Sequence, residues 1–255
     1  MFPYIGITDF RNAQQVKFML EAFNSRKSIR SNRILHVGVM MSRKTLLGLP
    51  SKWTNAFPTN SEIAEILSVP EVYNVLHYAD YEIDPDLHRN LRQALMYGGD
   101  NMDAIQLDMI WPDSTIIAHA VASSHANIEV ILQIGKNAIE AEGNDPKSVV
   151  NRLARYDGAI DRVLLDKSMG NGLGMDAHAL LPHARAIRDR FPNLGIAAAG
   201  GLGPNTIHLV EPLVREFPDL SIDAQGKLRP SGSALDPVDW DMAKEYIHKA
   251  LQLFF

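Results

Sequence analysis

Eight short apolar runs, each followed by a segment of helical periodicity, constrain this chain more than any other feature. The runs are Tyr4–Ile7, Ile34–Met41, Tyr73–Tyr78, Ala104–Asp108, Ile128–Ile134, Arg162–Leu165, Gly195–Ala199 and Leu220–Asp223. Several, such as Val163-Leu164-Leu165, are apolar at both parities. A strand reads that way when both faces are buried, and such strands belong to parallel sheets covered by helices. Between the runs, Val16, Met19, Leu20 and Phe23 share one helical face. Leu180, Ala184, Ile187 and Phe191 share another, as do Trp240, Ala243, Ile247 and Ala250. Asp84-Pro85, Asp145-Pro146 and Asp236-Pro237 read as helix starts. Aspartate accepts from first-turn amides, and proline lacks only a donor that had no partner. Gly203-Pro204 reads as a fourth start.

Eight strand-then-helix units close into a (β/α)8 TIM barrel of the α/β class. An open doubly wound sheet is the alternative. It would more often show fewer strands and a glycine-rich turn after the first, where this chain has Thr8-Asp9-Phe10. No linker divides the 255 residues, so one domain over 1–255 is expected. The longest irregular region, Arg43–Asn60, follows the second strand. It predicts either a lid on the catalytic face or a loop that packs Trp53 and Phe57 on the rim.

The formal net charge of −5 argues against nucleic acid as a partner, because phosphate backbones select basic surfaces. The basic cluster Arg26, Lys27, Arg30 and Arg33 reads as a solvated helix end. The absence of cysteine excludes disulfides, thiolate metal sites and cysteine nucleophiles. No apolar run approaches the ~18 residues of a membrane span. The first ten residues, MFPYIGITDF, do not read as a secretory signal, so a cytoplasmic protein is expected. Leu251, Phe254 and Phe255 offer either a homodimer surface or packing of the last helix on its own barrel.

In a barrel the C-terminal strand ends form the active face. Those ends carry Asp9, Ser42-Arg43, His77 and Asp80, Gln106 and Asp108, Gln133 and Lys136, Asp166-Lys167, Gly200-Gly201, and Asp223 through Gly226. Asp9, Asp108, Asp166 and Asp223 are candidate acids or bases. Each also reads as a helix cap or loop anchor, Asp9 most of all, since Thr8–Ala13 resembles a cap before the first helix. Asp166 is least open to that reading, because its helix begins near Asp176. Gly200 and Gly201, with Gln225 and Gly226, suit a phosphate site between the last two loops, or only a tight turn. Gly170, Gly172 and Gly174 suggest a mobile loop beside Asp166. His36 reads as a core histidine. His77 with Asp80 and Asp108 shows no ligand spacing such as HxH, so no metal and no cofactor is expected.

The segments YIGITD (4–9), HVGV (36–39), IQLD (105–108), LLDKSMGNGLGMD (164–176), AAGGLGPNTI (198–207) and SIDAQG (221–226) occur in order. Together they resemble the strand ends of the phosphoribosylanthranilate isomerase family of (β/α)8 barrels. That resemblance implies an Amadori-type isomerisation of an aminated ribose phosphate, with an aspartate acid at Asp166. It implies phosphate held at Gly200, Gly201, Gln225 and Gly226, and substrate contacts from Gln106 and Asp223. Arg43, at the end of the second strand, is a further candidate substrate contact. The family's cysteine base falls at Ile5, which cannot accept a proton, and Asp108 stands where a histidine is usual. A divergent member with a different substrate is therefore expected. Asp166 would be the acid or base, with Asp9 or Asp108 as partner, acting on a small phosphorylated molecule of phosphoribosyl type. The alternatives are an aldolase-type lyase using Lys167 as a Schiff-base amine and a barrel that binds a phosphorylated ligand without catalysis.

Overall fold

The computed structural model describes residues 2–28, 31–82, 85–124, 127–166 and 174–254. Arg30, Asp84, Lys167, Gly170, Gly172 and Phe255 lie outside the described residues. Eight parallel strands form a closed barrel in sequential order. They are β1 (Tyr4–Thr8), β2 (Ile34–Ser42), β3 (Tyr73–Ala79), β4 (Ala104–Asp108), β5 (Glu129–Gly135), β6 (Arg162–Asp166), β7 (Gly195–Ala199) and β8 (Ser221–Ala224). The (β/α)8 expectation is met, and each run in the sequence lies within one residue of a strand.

Alternation along each strand sorts its side chains into two cores. Tyr4, Tyr73, Val75, Ala104, Ile131, Leu164 and Ala197 fill the inside of the ring. Ile5, Ile7, Leu35, Val37, Val163 and Leu165 face outward, against the helices. The helical layer presents the faces read from the sequence. Val16, Met19 and Phe23 of α1 (Ala13–Arg26) are buried against the sheet. So are Leu180, Ala184 and Ile187 of the helix Ala177–Arg190, and Ala243, Ile247 and Ala250 of the helix Trp240–Leu253. Burying each larger aliphatic side chain contributes about 1.5–3 kcal/mol.

Helix starts were only partly legible. Asp145 caps Pro146–Leu153 by accepting from the Ser148 amide at 2.9 Å, with Pro146 in the first turn. The C-terminal helix does not start at Asp236-Pro237. Its cap is Asp239, which accepts from the Asp241 and Met242 amides at 3.0 Å. Asp236 is held in the preceding loop, where its carbonyl accepts from Arg229 Nε at 2.6 Å. Gly203-Pro204 does not open a helix either. A 3-10 turn at Ile207–Val210 precedes the short helix Glu211–Glu216. Gly203 instead permits a close crossing, since a Cβ there would lie 2.7 Å from the Lys227 carbonyl oxygen.

The ring closes through its shortest strand. β8 pairs with β7 at two positions and with β1 at three. Buried side chains reinforce this seam. Ser221 Oγ accepts from the Tyr4 amide at 3.0 Å and from Arg162 Nη1 at 2.9 Å, joining β8 to β1 and β6. Arg33, just before β2, donates to the Leu220 and Pro218 carbonyls at 2.6 and 2.7 Å. Its guanidinium lies 3.3 Å from the centre of the Phe254 ring. Phe254 therefore packs on its own barrel, and Leu251 is buried there too, which is the packing expected of the last helix. Among the described residues no helix is long and apolar enough to cross a membrane.

Replacing Ser221 with alanine strands a buried amide and a buried guanidinium. We expect a loss of about 1–3 kcal/mol, read as a lower Tm in thermal denaturation. An unchanged Tm would show that closure does not depend on this hydroxyl.

Candidate active site

The inward positions nearest the C-terminal strand ends border a cavity of about 430 Å³. Thr8, Met40, His77, Gln106, Asp108, Gln133, Asp166 and Asp223 reach it from the strands. Gly200, Gly201, Gln225, Gly226 and Lys227 reach it from the loops after β7 and β8. A larger hollow, about 550 Å³, lies near the opposite strand ends and is lined by Arg89, Arg92, Met96 and Ser123 among others. It holds none of the strand-end carboxylates, so the chemistry is sought in the mouth.

Each polar group on the mouth has a definable setting. Gln106 Nε2 donates to Gln133 Oε1 at 2.9 Å and lies 3.2 Å from His77 Nδ1. An amide nitrogen only donates, so Nδ1 accepts and a neutral His77 carries its proton on Nε2. That nitrogen faces Asp108 Oδ2 at 3.7 Å. Tyr81 donates its hydroxyl to the same carboxylate oxygen. The Tyr81 ring is exposed, but its hydroxyl turns inward. Burial there, and the charges of Asp108 and Asp166, hold the phenol above its usual range, so it remains a donor. Asp166 ends β6 beside Gly135 and Ala199 and borders the cavity, as its place in the sequence suggested.

Asp223 forms part of the floor. It is 5% exposed, and Thr8 Oγ1 donates to its Oδ2 at 2.8 Å. Its Oδ1 has no hydrogen-bond partner and lies 3.8 Å from His36 Nδ1. Burial pushes the carboxyl up to about 7, against the opposing pull of Thr8 and His77. His36 stacks on Tyr4 with ring centres 4.6 Å apart. Burial lowers its pKa to about 3, so it is the neutral core histidine expected from the sequence.

Other expected residues fall elsewhere. Asp9 is not among the cavity-lining residues. Its Oδ2 accepts from Arg229 Nη2 and from Gln225 Nε2, the latter at 3.0 Å. Burial raises this carboxyl, and Arg229 and Gln225 oppose the rise. Nor does Asp9 cap α1. That role belongs to Asn12, whose side chain accepts from the Gln15 amide at 3.0 Å. Arg43 borders an adjoining hollow and pairs with Glu82 at 2.7 Å. Ile5, where the resemblance puts a cysteine, faces the outer core. Trp53 and Phe57 stack at 5.2 Å and line the cavity wall rather than plugging it.

Gly200 and Gly201 have φ of 103° and 69°, the left-handed region where glycine is favoured. Successive residues of this kind can turn backbone amides toward an anion. The helix expected at Gly203 to reinforce them is absent, and Lys227 supplies a positive charge instead. Sequence reasoning passed over Thr8, Tyr81, Lys227 and Arg229. Only Thr8 and Tyr81 carried a signal, since both follow the apolar part of a predicted strand. Among the described residues no group of three or more His, Asp or Glu side chains is placed to hold a metal ion.

Because the Asp223 carboxyl holds its proton above the pH at which an unfolded aspartate releases it, its contribution to stability is present at low pH. It is lost as pH rises through about 7. Asp223→Asn removes this dependence, while the opposite contribution of His36 remains in both proteins. The Tm of the variant minus that of the wild type should grow between pH 4 and pH 8, by on the order of 5 °C. A constant difference would mean that Asp223 ionises normally in the fold.

No family model and no curated protein matches the chain. Solved structures do. A phosphoribosyl anthranilate isomerase in complex with reduced 1-(o-carboxyphenylamino)-1-deoxyribulose 5-phosphate aligns over 98% of both chains, with TM-score 0.59 and 19% identity. The phosphoribosyl anthranilate isomerase of Thermotoga maritima aligns over 98% of both, with TM-score 0.62 and 18% identity. A phosphonopyruvate hydrolase aligns over 87% of this chain and 75% of its own, with TM-score 0.53 and 14% identity. At such identities the likeness is one of fold: this chain is built on the same (β/α)8 frame as phosphoribosylanthranilate isomerase.

Proposed function

We propose that the protein is an enzyme acting by acid–base chemistry on a small phosphorylated sugar derivative of phosphoribosyl type. An isomerisation is the favoured reaction. The observation that carries this reading is one cavity bordered by three carboxyl groups, Asp108, Asp166 and Asp223, together with Gly200, Gly201, Gly226 and Lys227. The volume suits a pentose phosphate derivative, since ligand sites start at roughly 300 Å³. The neighbour in complex with a 5-phosphate compound supports the same ligand class.

In this reading Gly200, Gly201, Gln225 and Gly226 hold the phosphate through backbone and amide donors, with Lys227 neutralising its charge. Gln106, fixed between His77 and Gln133, presents its remaining amide capacity to a substrate hydroxyl. Asp166 handles the proton at the sugar oxygen. Of the two partners expected from the sequence, Asp108 borders the cavity, whereas Asp9 is held by Arg229 and Gln225 and is not among the cavity-lining residues. Arg43, paired with Glu82 in the adjoining hollow, would have to exchange that partner to reach substrate. Carboxyls in different settings divide acid and base duties because their pKa values separate.

A panel of phosphoribosyl compounds assayed with wild type and Asp166→Asn tests the assignment. The variant should lose on the order of 10²–10⁴ in kcat, and equal turnover by both proteins would remove Asp166 from the chemistry. Lys227→Ala should raise KM for phosphorylated compounds more than it lowers kcat. An unchanged KM would move the phosphate elsewhere.

A further inference from the structure

We propose that Asp223 is the second proton carrier of the mouth, standing in the space that a side chain on β1 would fill. This rests on the reading of the mouth as a proton-transfer site for a phosphorylated sugar. Ile5 faces outward, and the next residue, Gly6, faces inward with no side chain. The vacated space is taken from the neighbouring strand. A Cβ on Gly6 would lie 2.6 Å from Asp223 Oδ1 and 2.8 Å from His36 Nδ1. The β8 carboxyl thus leans across β1 into the place of a β1 side chain. It lines the cavity, is buried, and has one oxygen without a hydrogen bond. The other carboxyls are differently engaged: Asp9 with Arg229, and Asp108 with Tyr81 and His77.

The groups facing Asp223 favour a carboxyl poised to exchange a proton. Thr8 of β1 donates to it. His36 of β2 is neutral. His77 of β3 pulls its pKa down and Asp9 pushes it up, while burial dominates and sets it near neutrality. Tyr4 within the ring and Tyr246 of the C-terminal helix are both protonated phenols, held above their usual range by burial.

The step balances with the residues present. The Asp223 carboxylate takes a proton from the carbon next to the sugar carbonyl or imine. The C–H pair becomes the C=C bond of an enediol or enaminol. The displaced π pair goes to the oxygen or nitrogen, which takes the Asp166 proton. Asp223 then returns its proton to the former carbonyl or imine carbon, where the C=C pair forms the new C–H bond. The hydroxyl on the neighbouring carbon gives its proton to Asp166, and its freed pair forms the new C=O.

Bromohydroxyacetone phosphate tests this without knowledge of the substrate. Its phosphate seeks the glycine loops, and its electrophilic carbon forms an ester with a nearby carboxylate as bromide leaves. Peptide mapping of wild-type protein should place the ester on Asp223. The rate should rise about tenfold from pH 6 to pH 8, as expected for a carboxyl titrating near 7, and inorganic phosphate should slow it. Asp223→Asn should react at least ~100-fold more slowly, with its fold checked by circular dichroism. An ester on Asp108 or Asp166 with Asp223 unmodified, or no ester at all, overturns the role of Asp223. Modification that inorganic phosphate does not slow overturns the phosphate-sugar reading itself.

Discussion

A four-residue strand, Ser221–Ala224, closes the ring, and the placement of the mouth residues depends on its register. Ser221 and Asp223 are two residues apart and therefore point the same way, into the barrel. Ser221 fastens the closed end through the Tyr4 amide and Arg162. Asp223 floors the open end under the hold of Thr8. A slip of one residue would turn both outward together and push apolar Ile222 inside. The seam that completes the fold and the carboxyl that most distinguishes the site are thus fixed by one register.

The interior of the ring carries a column of polar groups along its axis, and this sets the electrostatics of the mouth. Arg162 lies 4.9 Å from the centre of the Tyr4 ring, and Tyr4 stacks on His36. Tyr73 donates to Glu129 at 2.5 Å. Above them come Asp223, His77 and the Gln106–Gln133 pair. Several atoms of this column have no hydrogen-bond partner: Tyr4 Oη, both nitrogens of His36, Gln106 Oε1 and Asp223 Oδ1. Each unpaired buried polar atom costs about 1–3 kcal/mol. The same low dielectric lifts the Asp223 carboxyl into the range of neutral pH.

The sequence made the ring legible and the pairing inside it largely illegible. Apolar runs and helical faces locate strands and helices because burial imposes its own period on each. The strand ends then predict which residues meet at the mouth, as Gln106, Asp108, Asp166 and Asp223 do. What failed has a physical pattern. Strands buried on both faces carry apolar residues at both parities, so nothing in Tyr4–Thr8 says that Ile5 points outward and Gly6 inward. Asp9 and Arg229 are 220 residues apart, and no local spacing announces their ion pair. Asp236-Pro237 has the composition of a helix start, but a tertiary bond from Arg229 holds Asp236 in the loop and leaves the cap to Asp239.

Two glycines within strands, Gly6 and Gly38, frame the floor. Glycine inside a strand lowers its stability and marks a close approach by another group. Gly6 and Gly38 lie on adjacent strands, opposite His36 and Thr8 respectively. A Cβ on Gly38 would lie 2.4 Å from Thr8 Oγ1, and one on Gly6 would meet Asp223. The two bare positions admit the Thr8 hydroxyl on one side and the Asp223 carboxyl on the other, bringing them to 2.8 Å of each other. Alanine at either position would have to displace a buried polar group rather than the end of a flexible chain. The glycines of YIGIT and HVGV are therefore read as the negative space of the floor carboxyl, which is why they tie the barrel's interior packing to the chemistry proposed for its mouth.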